Sequence, residues 1–215
     1  METNWSGEQL LQILENGANK PLPYTDNFKS NNGWINGWGK IQFGDGKMTL
    51  SPSMGETGVT TILDGTYHWR DYIFKTEISF NGTLSLLARY QDEANYISCD
   101  FTDDLVKIIE MKNGQRYVIT ENDFVISGLP KDYSIEVTEN EVSCGVNKEA
   151  IVSDNNISSD LNNGGVGFKI WKQQVGEAQA QVYAIEVKDI KDVSYFTDSI
   201  LSRDKDYYKL YFICG

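Results

Sequence analysis

The chain has 215 residues, of which 40% are hydrophobic and 23% charged, and its formal net charge is −12. This composition supports a packed core and excludes disorder throughout the chain, while the acidity argues against nucleic acid and anionic membrane surfaces as partners. No run of residues approaches the ~20 apolar positions that span a bilayer, so membrane insertion is not expected.

The first residues also lack the basic and apolar regions of a signal peptide. Two interpretations follow from this. The protein is cytoplasmic, or Met1 begins a chain from which a leader has been removed.

A short helix followed by a linker is predicted for residues 1–23. Ser6 and Gln9 have the spacing of a capping box, Trp5 and Leu10 that of a hydrophobic staple, and Gly17 ends the apolar stripe. The prolines of the Lys20–Pro23 segment then favour an extended linker.

Strand patterns dominate from Tyr24 onward. Asn81-Gly82 and Asn113-Gly114 are typical of two-residue hairpin turns between alternating segments, whereas the Asn31–Gly39 segment is predicted to be a loop. About a dozen short strands with regular turn spacing, and no alternation with helices, predict an all-β fold of two packed antiparallel sheets.

The segment Gly165–Trp171 and the following Ala178–Val187 predict two consecutive strands near the end of that sandwich. Val166, Phe168 and Ile170 share one face, whereas Lys169 and Trp171 share the other. We expect the first set to face the core and the second set to face solvent. The glycines are expected where a neighbouring strand comes close.

Three cysteines and one histidine make a structural zinc site improbable, because such a site needs about four nitrogen or sulfur ligands. Cys99 and Cys144 both lie in mid-strand on the apolar face. We expect two free buried thiols in preference to a disulfide. Cys214, beside the C-terminus, is expected to be an exposed thiol.

Several short motifs resemble the concanavalin-A-like, laminin-G-like jelly-roll superfamily. They are His68–Tyr72, Leu87–Tyr96, Gly114 and Gly164–Phe168. The superfamily includes carbohydrate-binding modules, lectin domains and 3-keto-disaccharide hydrolase-like domains. The resemblance implies a jelly-roll sandwich over residues 24–190. Residues 191–215 are interpreted as a C-terminal extension, and the aromatic and apolar residues of the Tyr207–Ile213 segment predict a further strand there.

In that superfamily a calcium ion often joins the first strand to the last. The resemblance places Tyr183 where the acidic ligand would stand, which puts the usual site in doubt. Asp26 and Asp160 remain as candidate oxygen ligands, although calcium takes six to eight oxygens. We therefore predict no metal site and no cofactor, with weak or absent calcium dependence.

No catalytic set is predicted. His68 is the only histidine available to a nucleophilic triad and is interpreted as a surface imidazole. The Glu-x-Asp-x-x-Glu strand motif of family-16-type glucanases is absent, as are the Walker, GxSxG and HExxH motifs.

Sugar binding calls for aromatic rings beside planar polar groups. Strand alternation places a set of such side chains on one concave face, and a Gly/Asn-rich segment adds two tryptophans; the candidate ligand-binding residues are Arg89, Tyr96, Asp100, Lys169, Trp171, Trp34 and Trp38. Two alternatives stay open: a salt bridge for Arg89, and a lid over the sandwich edge for Trp34 and Trp38. Trp69 is expected to pack in the core.

The leading hypothesis is a non-catalytic, lectin-like module of a secreted or cell-surface protein that binds a poly- or oligosaccharide. The second is a structural, assembly or adhesin domain without sugar binding, whose protein partner engages the C-terminal extension. The third is an enzyme of the keto-glycoside hydrolase type.

Overall fold

The computed structural model describes residues 19–125 and 131–190, which form fifteen β-strands and no helix. The helix predicted near Ser6 and the strand predicted within 191–215 lie outside the described residues. The strands are β1 Tyr24–Asp26, β2 Trp34–Trp38, β3 Lys40–Gly44, β4 Lys47–Ser51, β5 Gly58–Leu63, β6 Tyr72–Asn81, β7 Thr83–Asp92, β8 Asn95–Phe101, β9 Leu105–Lys112, β10 Gln115–Asp123, β11 Lys131–Thr138, β12 Glu141–Val146, β13 Glu149–Asp154, β14 Gly165–Trp171 and β15 Gln179–Asp189.

Two antiparallel sheets form a sandwich, as the strand pattern predicts. The first has eight strands in the order β13-β12-β11-β6-β15-β4-β3, with β1 paired to β15, and the second has seven in the order β10-β9-β8-β7-β14-β5-β2. The hairpin predicted at Asn81-Gly82 is wrong, because the strands that meet there, β6 and β7, lie in different sheets. The hairpin predicted at Asn113-Gly114 is confirmed, since β9 pairs with β10. Within 19–125 and 131–190, no helix has the length and hydrophobicity needed to cross a bilayer.

The core lies between the sheets and is built from alternate residues of each strand. Phe74 of β6 meets Phe168 of β14 across it, with ring centroids 5.4 Å apart, and both side chains are fully buried. Each such side chain contributes about 1.5–3 kcal/mol by leaving water. Trp69 also belongs to the core, as predicted, and its indole N–H donates to the carbonyl of Lys20 at 2.8 Å.

A disulfide joins Cys99 of β8 to Cys144 of β12, with the two Cα atoms 5.7 Å apart. The prediction of two free thiols is therefore wrong. The alternation of each strand correctly placed both side chains in the core, but they lie on opposite sheets and meet across the sandwich. Disulfides persist in oxidising compartments, which favours a secreted protein.

The Asn31–Gly39 segment, predicted to be a loop, contains the edge strand β2, which pairs with β5. The pairing register of β2 shifts between Asn36 and Trp38. Because of this irregularity and the glycines and asparagines of the segment, β2 lacks the regular alternation from which a strand is predicted. Trp38 is half-buried at this edge.

Strand β14 shows the predicted division into two faces. Val166, Phe168 and Ile170 are fully buried in the core, whereas Lys169 and Trp171 are only partly covered on the other side. Gly167 lies where a Cβ would overlap the carbonyl oxygen of Thr61 on β5. The absence of a side chain lets β5 and β14 pair at this point.

Candidate functional site

A row of polar side chains crosses the outer face of the seven-stranded sheet. Lys169 of β14 lies opposite Thr60 of β5 on one side and Ser85 of β7 on the other. The row continues from Ser85 to Asp100 of β8 and from Asp100 to Lys107 of β9. Antiparallel pairing thus brings together residues distant in sequence, on the face that turns away from the core.

An open groove of about 700 Å³ lies along this row, and we call it the outer groove. Four of the sequence-predicted ligand residues, Tyr96, Asp100, Lys169 and Trp171, line it together. Its other lining residues are Thr83, Ser85, Ser98, Thr102, Asp104, Leu105, Lys107, Ile109, Met111 and Arg116. The groove therefore combines two aromatic rings with hydroxyl, carboxylate and cationic groups.

Asp100 lies on the floor of the outer groove with both carboxylate oxygens engaged. Ser98 Oγ donates to Oδ1 at 2.8 Å, and the Arg116 guanidinium donates to Oδ2 at 3.1 Å. The Asp100 side chain is 9% exposed and that of Arg116 is 45% exposed. The carboxylate fixes the guanidinium, whose remaining N–H groups can meet a ligand.

Sequence reasoning missed Arg116. It lies two strands away from Asp100, on β10, and contacts it across β9. The predicted hairpin at Asn113-Gly114 could have pointed to Arg116, because a hairpin fixes which residues of β9 and β10 lie opposite each other.

Tyr96 lines the groove and stacks on Tyr90, with ring centroids 5.9 Å apart. Burial raises the pKa of Tyr96 to about 12, and the nearby Asp100 carboxylate adds to the shift. The phenol is therefore neutral at physiological pH and keeps its proton as a hydrogen-bond donor.

Lys169 has no carboxylate within ion-pair distance in the described part of the chain. Its ammonium group lies 6.0 Å from the centre of the Trp38 ring, so Trp38 adjoins the groove without lining it. The hydroxyl of the opposite residue, Thr60, is buried and makes no hydrogen bond. Lys169 therefore lies beside one hydroxyl without a hydrogen-bond partner, that of Thr60 on β5.

Arg89 does not reach the outer groove, and the prediction that it projects from the concave face is wrong. A register shift between Ala88 and Asp92 of β7 turns its fully buried side chain to the interior, and its φ of 47° is left-handed. The guanidinium donates to the carbonyls of Glu139 and Leu161 at 2.7 and 2.9 Å. The guanidinium also lies 3.5 Å from the Asp71 carboxylate, so Arg89 forms the salt bridge that was the alternative interpretation of this residue.

Trp34 is also remote from the groove, because its side chain is 2% exposed and packs in the core against Phe168. Its indole N–H donates to Asp26 at 3.0 Å. The structure thus separates Trp34 from Trp38, although the two lie on the same strand.

The two candidate calcium ligands lie in different surroundings. Asp26 is buried and accepts hydrogen bonds from Tyr24, Phe28, Asn32 and Trp34. Asp160 is exposed and forms an ion pair with Lys112 at 2.7 Å. No group of three or more acidic, histidine or cysteine side chains suited to a metal occurs in residues 19–125 and 131–190.

The groove's chemistry suits hydrogen bonding and ring stacking. Its central carboxylate, Asp100, is held by Ser98 and Arg116, an arrangement that fixes the orientation of both donors. His68 is exposed and is not among the groove's lining residues.

Comparison with solved structures finds the same sandwich in proteins of very different sequence. The carbohydrate binding module CBM66 from Bacillus subtilis matches with a TM-score of 0.61 at 16% identity, covering 73% of this chain and 96% of that chain. A Bacillus subtilis protein of unknown function with a galectin-like fold gives a TM-score of 0.64 at 13% identity over 77% and 94%. A Bacillus licheniformis beta-glucanase gives 0.55 at 12% identity over 78% and 98%.

No protein-family model and no curated protein matches the chain. Identities this low carry information about fold, and function must be argued from the site itself. The structural matches confirm the jelly-roll fold that the motif resemblance implies. The chain has the concanavalin-A-like lectin/glucanase jelly-roll fold.

Proposed function

We propose that this protein is a non-catalytic carbohydrate-binding module whose glycan lies in the outer groove. The observation that carries the proposal is the convergence of Tyr96, Asp100, Lys169 and Trp171 in one groove. Arg116 joins them through its pair with Asp100.

The ligand chemistry follows from these groups. Trp171 is partly exposed and offers a ring to the C–H face of a sugar. The Arg116 guanidinium, the Lys169 ammonium and the Tyr96 phenol offer donors to hydroxyl oxygens. A groove of this volume, open along its length, suits a few units of a poly- or oligosaccharide.

Trp171→Ala tests the proposal. We expect the melting temperature to change little because Trp171 lies outside the core, and glycan affinity to fall by about 1–3 kcal/mol, the range of stacking on other aromatic platforms. A glycan array identifies the ligand, and calorimetry then measures wild type and variant. A loss of about 3–5 kcal/mol of stability, typical of a buried ring, would contradict the site assignment.

Tyr183→Ala provides the matched control. Tyr183 is also a partly covered aromatic residue, but it lies on β15 of the other sheet, where its hydroxyl donates to Gln181. We expect this variant to bind glycan like the wild type. Equal losses in both variants would show that the effect is not local to the groove.

The other two hypotheses for the function predict different results in the same binding and activity assays. Binding to no polysaccharide in the array or in affinity gels would favour the assembly or adhesin domain, with residues 191–215 as the partner-binding extension. Turnover of glycosides or keto-disaccharides would favour the enzyme.

The disulfide extends the proposal to location and organisation. A cross-sheet disulfide suits a secreted or cell-surface protein. We propose residues 24–190 as the binding module, flanked by the 1–23 segment and the 191–215 extension. Mass analysis of stable fragments after limited proteolysis would test these boundaries.

A further inference from the structure

Glu110 of β9 occupies a position where the alternation of the strand calls for an apolar side chain. Val106 and Ile108, on the same face of β9, are fully buried in the core. Glu110 continues that face and lies between Ile97 of β8 and Tyr117 of β10. It is 6% exposed.

The Glu110 carboxylate has no partner in the described part of the chain. Its Oε1 is buried without a hydrogen bond, and no lysine or arginine lies within ion-pair distance of the group. Lys112, two residues on, is already engaged by Asp160 at 2.7 Å and by Ser158 at 2.9 Å. A buried acceptor left without a donor destabilises a protein by about 1–3 kcal/mol, and more when it is charged.

Glu110 lines a second open cavity of about 600 Å³, which we call the edge cleft. It lies between the β9–β10 hairpin and the segment that follows β13. Its lining residues are Glu110, Lys112, Asn113, Gln115, Tyr117, Val118, Ile119, Asp154, Asn156 and Ser158. Lys107, Ile109 and Met111 of the same strand line the outer groove instead, so the two cavities lie on opposite faces of β9.

The edge cleft is rich in acceptors. Asp154 is a second carboxylate there, and it accepts hydrogen bonds from the backbone and side-chain N–H groups of Asn156. Lys112 interacts with Glu110 at longer range, but its ion pair is with Asp160, so neither Glu110 nor Asp154 has an ion-pair partner in the described residues. Tyr117, with 45% of its surface exposed, supplies a ring beside Glu110.

We propose that the edge cleft binds a small ligand carrying a primary ammonium group, with that group donating to Glu110 and the ligand's carbon body lying against Tyr117. An ammonium group supplies both the donor that Oε1 lacks and a positive charge for the two carboxylates of the cleft, whose lysine, Lys112, is already ion-paired with Asp160. This site is independent of the glycan proposed for the outer groove.

Glucosamine and glucose make a matched pair of probes, because they differ by one ammonium group in place of a hydroxyl. Titration of the ¹⁵N-labelled protein, followed by NMR, reports both affinity and location. We expect glucosamine to bind at least ~10-fold more tightly than glucose, as one charge-assisted hydrogen bond predicts. The shifted amides should belong to Lys112, Tyr117 and Asn156. Equal affinity for the two sugars, shifts confined to Ser98 and Lys169, or no binding would overturn the proposal.

Glu110→Gln preserves shape and removes the charge, and we expect it to lower glucosamine affinity by ~10-fold or more. Glu136→Gln is the matched control, since it removes a carboxylate on β11 of the other sheet. If Glu110→Gln fails to fold, Tyr117→Ala removes the ring from an exposed position and should weaken binding in the same way. Tight binding of calcium chloride at these residues, with no preference for glucosamine, would assign the cleft to a cation and contradict the proposal.

Discussion

Arg89 holds three segments of the sandwich together from a site that solvent does not reach. Its guanidinium donates to the carbonyls of Arg70, Glu139 and Leu161, which lie before β6, between β11 and β12, and before β14. Its backbone N–H donates to the Tyr72 hydroxyl at 2.8 Å. Burial lowers the pKa of Arg89 from its usual value, whereas Tyr72 and Asp71 oppose that shift.

Arg89→Met is expected to destabilise the protein by about 3–5 kcal/mol, because it strips donors from buried carbonyls and leaves Asp71 without its cation. Urea unfolding measures the change. Arg116→Met is the comparison, since its partly exposed guanidinium pairs only with the largely buried Asp100 carboxylate; its loss of stability should be clearly smaller than that of Arg89→Met. Similar losses in the two variants would show that burial does not distinguish these arginines.

A second prediction for a single residue concerns Lys169, and it depends on the glycan site proposed in the outer groove. Its ammonium group has no acidic partner in the described residues, so it is free to meet a carboxylate or sulfate on a glycan. Lys169→Met should weaken binding of acidic glycans about 10-fold and of neutral glycans much less. Calorimetry at two salt concentrations checks this, and equal losses for both glycan classes would contradict the charge argument.

At the scale of single elements, β14 is the strand on which the groove depends. Lys169 and Trp171 project from it, while Gly167 lets it pair closely with β5. Gly167→Ala should cost about 1–3 kcal/mol, because the added methyl group overlaps the Thr61 carbonyl and the Ile62 side chain and must displace backbone.

Gly114→Ala separates this packing effect from the general consequences of replacing a glycine. A Cβ at Gly114 meets nothing within 4 Å, but the residue has a φ of 75°, so only backbone strain of about 1 kcal/mol is expected there. Thermal unfolding of both variants tests the comparison. Unchanged stability in Gly167→Ala would mean that the β5–β14 contact is looser than described.

The disulfide ties the two sheets at β8 and β12. Its cysteines are separated by 45 positions, and closing a loop of this size stabilises a protein by about 2–4 kcal/mol. Reduction should lower the free energy of unfolding by that amount. Thiol titration of the denatured protein should find no more than one free thiol before reduction and three afterwards. Three thiols before reduction would contradict the disulfide.

For the molecule as a whole, alternation within each strand predicted the sandwich and four of the residues that line the groove, since Tyr96, Asp100, Lys169 and Trp171 all project as their positions require. The interior position of Arg89 was not predicted, because one bulge reverses the alternation of side chains along β7. Bulges carry no clear signal in a single sequence. The Cys99–Cys144 disulfide and the Arg116–Asp100 ion pair were not predicted either, because both depend on how separate strands are placed next to each other. Local pattern fixes the face of a residue, and only the assembled sheets fix its neighbours.

The last prediction for the whole molecule is that its thermal stability does not depend on calcium. Asp26, on the first strand, already accepts hydrogen bonds on both oxygens: from Phe28 N–H at 2.8 Å and Asn32 at 3.1 Å on Oδ1, and from Trp34 at 3.0 Å and Tyr24 at 3.3 Å on Oδ2. A calcium ion there would have to displace donors that the fold supplies. Tyr183 of β15, the residue that the resemblance places at the position of an acidic ligand, donates its hydroxyl proton to Gln181.

We therefore expect the melting temperature to be the same in EDTA and in calcium chloride. A site that binds only the folded state adds about 2.7 kcal/mol at a hundredfold excess of ligand over Kd. For a chain of this size each kcal/mol shifts the melting temperature by about 2–4 °C, so a calcium site would be plainly visible. Asp26→Asn provides the positive control, because replacing one carboxylate oxygen by an amide N–H turns a donor toward donors and should lower the melting temperature in either solution. A calcium-dependent rise that disappears in Asp26→Asn would show that Asp26 is a calcium ligand after all.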